Sequence, residues 1–137
     1  MKANELRIGN WIKYEDKLVQ VVQVSSMMIL CQRDENQFLV NCAPKVFQPI
    51  ELTGDILIKA GYFKKGYHEI YFMTPCVYCY DYYISCQNIK DNKYSFVASG
   101  YKNGELKRQI RLDNIQYLHE LQNIFFSFTN QELEIKL

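Results

Sequence analysis

Hydrophobic and polar positions alternate differently in three parts of the chain. From Ile8 to Pro49, short apolar runs (I-G-N-W-I-K-Y, K-L-V-Q-V-V-Q-V, M-M-I-L-C, Q-F-L-V and K-V-F) are separated by turn residues. Runs of this length predict four or five strands forming a small curled sheet or SH3-like β-barrel. Val19 and Val21 alternate against Leu18, Val22 and Val24, so apolar side chains fall on both faces, as a bulge or tight curvature would produce. Met27-Met28-Ile29-Leu30 reads as a buried strand.

At L52-T53-G54-D55-I56-L57-I58-K59-A60-G61 the period becomes helical. Thr53 suits the N-cap, Asp55 complements the helix dipole, and Leu52 can staple onto Leu57. Gly61 predicts a left-handed stop.

A strand-rich region follows, and its Asn103-Gly104 pair predicts a two-residue hairpin with positive φ at both positions. Setting Lys102 opposite Glu105 places Tyr101 opposite Leu106, Ser99 opposite Arg108 and Val97 opposite Ile110. A second two-residue turn at Asp91-Asn92 sets Cys86 opposite Val97 and Ile84 opposite Ser99. Tyr82, Ile84, Cys86, Val97, Tyr101, Leu106, Ile110 and Leu112 then share one face of an antiparallel meander, while Tyr83, Ser85, Gln87, Phe96, Lys107, Gln109 and Arg111 share the other. The register of residues 67–80 is left open.

From Asp113 the period is helical again, with Asp113 and Gln116 at capping-box spacing. Tyr117, Leu118, Leu121, Ile124, Phe125 and Phe128 form an apolar stripe suited to cover the meander. Asn130 is a left-handed stop, and L133-E134-I135-K136-L137 alternates like a short final strand. The expected fold class is therefore α+β: an amino-terminal β-barrel-like module over 1–51, then an antiparallel meander packed against a helix over 52–137. The two modules are either separate or one compact unit.

Composition narrows the functional classes. With 48% hydrophobic residues in 137, the chain has material for a packed core. Sixteen basic against fifteen acidic residues give a net charge of +1, so no global field recruits DNA or an anionic membrane. The opening M-K-A-N-E-L-R carries charges where a signal peptide needs apolar residues, and no apolar run approaches a membrane span. A cytoplasmic protein is expected, without a membrane partner. Five cysteines, an odd number, argue against a disulfide framework in such a setting.

The stretch P75-C76-V77-Y78-C79-Y80-D81-Y82-Y83-I84-S85-C86 raises three readings: a metal site, a redox pair or a strand. Side chains three apart in a strand point to opposite faces, so Cys76 and Cys79 share a metal only if the chain turns between them. A redox pair needs a helix N-terminus, whereas Tyr80-Asp81-Tyr82-Tyr83-Ile84 is β-forming. The strand reading is preferred, with no metal and no cofactor. His68 and His119 are the candidate bases of an enzyme reading with a cleft between the two halves. No Gly-x-Ser-x-Gly, phosphate loop or dinucleotide fingerprint accompanies them, and no catalytic residue is assigned.

Three segments, M-K-A-N-E-L-R-I-G-N-W-I, P-I-E-L-T-G-D-I-L-I-K-A-G-Y and I-Q-Y-L-H-E-L-Q-N-I-F-F-S-F-T-N-Q-E-L-E-I, resemble small uncharacterised proteins of Bacteroides-type genomes, often in phage or mobile-element regions. The resemblance implies an accessory protein acting inside a bacterial cell. It carries no activity and no site residues. The leading expectation is a non-catalytic module that binds a protein partner or a second copy of itself. The alternative is single-stranded nucleic-acid binding through Tyr83, Phe96, Lys107, Gln109 and Arg111, a mixture suited to stacking bases and neutralising phosphates.

Overall fold

A computed structural model describes residues 1–33, 39–64, 70–73, 76–77, 80–90 and 93–136. The chain forms two compact units, Met1–Glu51 with Tyr117–Glu132, and Leu52–Gln116 with Leu133–Leu137. The class is α+β, with two antiparallel sheets and two helices.

In the first unit, β1 (Trp11–Tyr14), β2 (Lys17–Val24), β3 (Ile29–Gln32) and β4 (Leu39–Cys42) form a four-stranded sheet in chain order. Among the described residues no strand pair closes it into a barrel. The mixed parity of β2 has the anticipated cause: a register shift between Val21 and Gln23 makes Val22 a bulge against β3. Ile12, Val19, Val21, Ile29, Cys31, Val40 and Phe47 form the core of this sheet. The run K-V-F is not a strand, because Pro44–Val46 makes a 3-10 turn; Gln48 beyond it pairs with Lys13.

The carboxy-terminal helix, α2 (Leu118–Thr129), belongs to this unit. A sequence boundary at residue 51 assigns it to the other one. It starts four residues later than the spacing of Asp113 and Gln116 suggests, with Tyr117 in place of Asp113 at the N-cap. Strand character persists to Ile115, and Glu120 reaches back to accept from the Tyr117 amide at 3.1 Å. Asn130 ends it at φ 57° and ψ 29°, the left-handed stop the sequence announces.

In the second unit, α1 (Gly54–Lys59) is capped by Thr53, whose hydroxyl accepts from the Ile56 amide, and Gly61 follows at φ 84°. Gly54 has a steric role, since a Cβ there would collide with the Tyr71 hydroxyl. Its sheet contains β5 (Phe63–Lys64), β6 (Ile70–Met73), β7 (Cys76–Val77), β8 (Tyr80–Lys90), β9 (Lys93–Lys102) and β10 (Glu105–Ile115). The order is β10-β9-β8-β6-β5, with β7 pairing to β8. Asn103 and Gly104 both take positive φ, 53° and 77°, and Lys102 pairs with Glu105 as expected.

The expected register fails one residue further on. Tyr101 lies opposite Leu106, but Gly100 lies opposite Arg108, so Lys107 is bulged and Ile110 meets Ala98 instead of Val97. A second shift, between Asn88 and Lys90, sets Cys86 opposite Phe96 and Ile84 opposite Ala98. Each bulge adds one residue, and one residue reverses the parity of everything beyond it. Thus Tyr94, Phe96 and Ala98 of β9 join Ile84 and Cys86 on the buried face, while Val97 turns to the other.

Two further expectations change. Cys76 and Val77 pair antiparallel with Asp81 and Tyr80, so 76–77 and 80–86 belong to two strands and not one. The parity argument that separated Cys76 from Cys79 therefore lapses; Cys79, like His68, lies outside the described residues. The tail forms no strand over 133–136, although Leu133 is buried and the Lys136 amide donates to the Lys59 carbonyl at 3.3 Å.

Candidate functional site

Strands β8, β9 and β10 present a face opposite to the one that buries Ile84, Cys86, Phe96 and Ala98. Small residues of the central strand β9, Ser95, Val97 and Ser99, run down its middle. Taller side chains flank them, Tyr83 from β8 and Gln109 and Arg111 from β10. Tyr83, 55% exposed, packs edge-on against Tyr101 with centroids 5.5 Å apart. Gln109 Nε2 donates to Ser99 Oγ at 3.1 Å. At the far end the Ser95 hydroxyl and, after it, the Arg111 guanidinium hold the Asp113 carboxyl below its ordinary pKa.

Of the five residues suggested for nucleic-acid contact, four lie on or beside this face and one does not. Phe96 is fully buried on the opposite face and has no surface to offer a base; the two bulges moved it there. The cations are also not free. Lys107 is paired with Glu105, and Arg111 Nε lies 3.5 Å from Asp113 Oδ1, each with a carboxylate two residues along the strand.

The edge of this sheet is its second feature. From Glu105 to Asn114, β10 is exposed at every position except the half-buried Ile110. Leu106 and Leu112 are 51% and 41% exposed. Among the described residues, β10 pairs only with β9, and no strand or isolated bridge occupies its other side. The ladder is regular from Arg108 to Leu112, bounded by the bulge at Lys107 and the shift between Leu112 and Ile115.

The first unit concentrates its buried polar chemistry elsewhere. His119, Gln122, Asn123 and Phe126 form one stripe of α2, and Gln122, Asn123 and Phe126 meet the segment Glu5–Trp11. Gln122, 1% exposed, accepts from the Trp11 amide at 2.9 Å and donates to the Gly9 carbonyl at 3.2 Å. Asn123 donates to the Glu5 carbonyl, and the Arg7 guanidinium lies over the Phe126 ring while pairing with Glu132 at 2.9 Å. Burial lowers the pKa of His119 against the opposing pull of Glu120 and Glu5, and its ring stacks on Tyr117. A histidine held neutral in a stacked, buried seat acts as a packing residue. Sequence reading picked out His119 but not Gln122, because a glutamine on a helix carries no mark of what it will clamp.

The remaining chemistry is subdued. Burial pushes the Cys31 and Cys86 thiols up to about 12, leaving them protonated and unreactive. Among the described residues no three His, Cys, Asp or Glu side chains converge on a metal position, and no helix is long and apolar enough to cross a membrane. Comparison with protein-family models, with curated proteins and with solved structures finds no match.

Proposed function

We propose that this chain is a non-catalytic protein-interaction module that receives an extended segment of its partner along β10. The observation that carries this reading is an eleven-residue strand, exposed over almost its whole length, that among the described residues pairs with β9 on one side and with no strand on the other. An edge strand offers a row of backbone donors and acceptors, and strand addition uses them for affinity while alternate side chains set specificity. The face beside it supports a protein partner over a nucleic acid. The exposed Tyr83 and Gln109 suit adaptable polar contact, and Lys107 and Arg111 are already beside carboxylates. The three segments that resemble accessory proteins of mobile elements support a cytoplasmic setting within a bacterial cell.

The test selects binders from a library of random extended peptides and maps them by hydrogen exchange. The expected result is protection of amides within 105–114, with binding that varies little with salt. Peptides that protect other segments, or no binders to a chain that sediments as a monomer, would remove the reading. Titration with labelled single-stranded DNA and RNA runs in parallel; tight, salt-dependent binding that Lys107→Ala with Arg111→Ala abolishes would replace it with the nucleic-acid function.

A further inference from the structure

We infer that the partner strand for β10 is β10 of a second copy, paired antiparallel about a twofold axis at Ile110. The inference deepens the proposed use of this edge and rests on it. A twofold perpendicular to the sheet passes through a pair of directly opposite residues, so one residue must face its own symmetry mate. That requirement leaves few registers, and the charges along the strand discriminate among them. An axis at Lys107, Arg108 or Arg111 sets a cation against itself. An axis at Gln109 sets Lys107 against Arg111 and Glu105 against Asp113 of the other copy. Like charges directly opposite are destabilising.

An axis at Ile110 has neither defect. It sets Ile110 against Ile110, Gln109 against Arg111, Arg108 against Leu112, and Lys107 against Asp113, each unlike pair occurring twice by symmetry. The backbone points to the same residue independently. The regular ladder runs from Arg108 to Leu112, bounded by a shift on either side, and its central residue is Ile110. A twofold there places the whole regular stretch of one strand along the whole regular stretch of the other. An axis at Leu112 also avoids like charges, but it sets Gln109 and Arg108 of the regular stretch opposite Ile115, which is buried, and Gln116, whose carbonyl already accepts from the Leu52 amide at 2.7 Å. The outer faces of the two sheets become continuous, and each open edge closes the other.

Cysteine scanning of the full chain tests the register. Arg108→Cys, Ile110→Cys and Leu112→Cys are oxidised under mild conditions beside the native chain, and covalent dimers are counted by mass. Directly opposite residues have Cα atoms within disulfide range, so Ile110→Cys is expected to link and the other two are not. Sedimentation then tests the charges. Asp113→Lys or Lys107→Asp alone is expected to weaken self-association about tenfold, because two pairs change sign at once. The double variant Lys107→Asp with Asp113→Lys is expected to recover it, with circular dichroism confirming the fold of each. Linking strongest at 108 or 112, no linking at any position, or a double variant no better than the singles would overturn the proposal. A monomeric chain whose β10 amides are nevertheless protected by selected peptides would overturn self-pairing while leaving the strand-addition reading intact.

Discussion

The outer edge of β1 in the first unit and the outer edge of β10 in the second are handled in opposite ways. Along β1 the Trp11 amide donates to Gln122 Oε1, and Lys13 and Gln48 exchange both backbone bonds at 2.8 and 2.9 Å. A helix side chain and a loop backbone thereby occupy a strand only four residues long. Along β10, eleven residues long, pairing among the described residues is with β9 alone. An edge left open is a template for association, which is why the proposed interaction surface is placed at β10 and not at β1. The cores differ as well. Aliphatic Ile12, Val19, Val21, Ile29 and Val40 fill the first sheet. Aromatic Tyr62, Tyr71, Tyr94 and Phe96 are prominent in the second unit, where Tyr71 and Tyr94 meet edge-on.

The largest expected effect separates the two faces of the second sheet. Phe96→Ala should cost about 3–5 kcal/mol in urea unfolding, as a buried aromatic does. Tyr83→Ala, on the outer face, should stay within about 0.5 kcal/mol. Comparable costs would mean that the parity assigned by the two bulges is wrong.

The closed edge of β1 should open when its clamp is lost. Gln122→Leu leaves the Trp11 amide without its side-chain acceptor, while the Gly9 carbonyl keeps the bond from Gln20 Nε2 at 3.1 Å, and should destabilise the first unit by about 1–3 kcal/mol. Trp11 is the single tryptophan, so its fluorescence reports the transition. Hydrogen exchange should quicken at Trp11 while β10 stays unchanged.

His119 gives the first unit a pH dependence near neutrality. Its pKa is lowered in the folded state by burial, with Glu120 and Glu5 opposing and the amino terminus adding to the shift. The unfolded chain therefore takes up a proton first on acidification. Stability is whole above the unfolded value near 6.5 and declines as pH falls below it. His119→Gln should flatten the Trp11-monitored stability between pH 7.5 and 5; an unchanged slope would assign it to other groups.

The smallest effect sits at the helix start. Glu120→Ala removes the acceptor of the Tyr117 amide and should cost about 0.5–1 kcal/mol, whereas Asp113→Ala should leave α2 unaltered because Asp113 is in β10.

Legibility in the sequence followed the range of the interaction. Thr53 as a cap, Gly61 and Asn130 as left-handed stops and the positive-φ Asn103-Gly104 turn were all readable, since each is decided by a few adjacent residues and their steric limits, whereas the mixed parity of β2 left a bulge and tight curvature both open. Both Lys102 opposite Glu105 and Tyr101 opposite Leu106 followed from that turn. The face of Phe96 did not, because a bulge leaves no residue-type signature in Lys107 or Ile89, yet one inserted residue reverses every later side chain. The start of α2 was misplaced for a related reason: Asp113 and Gln116 have the spacing of a cap, but β10 holds this segment extended through Ile115. What the amino-acid order determined was the local vocabulary, turns, caps and the α+β class. The tertiary structure alone decided that Gln122 spends its amide on the Trp11 edge, that Phe96 is core, and that β10 stays open, because these depend on which residues distant in the chain come within hydrogen-bonding or van der Waals reach.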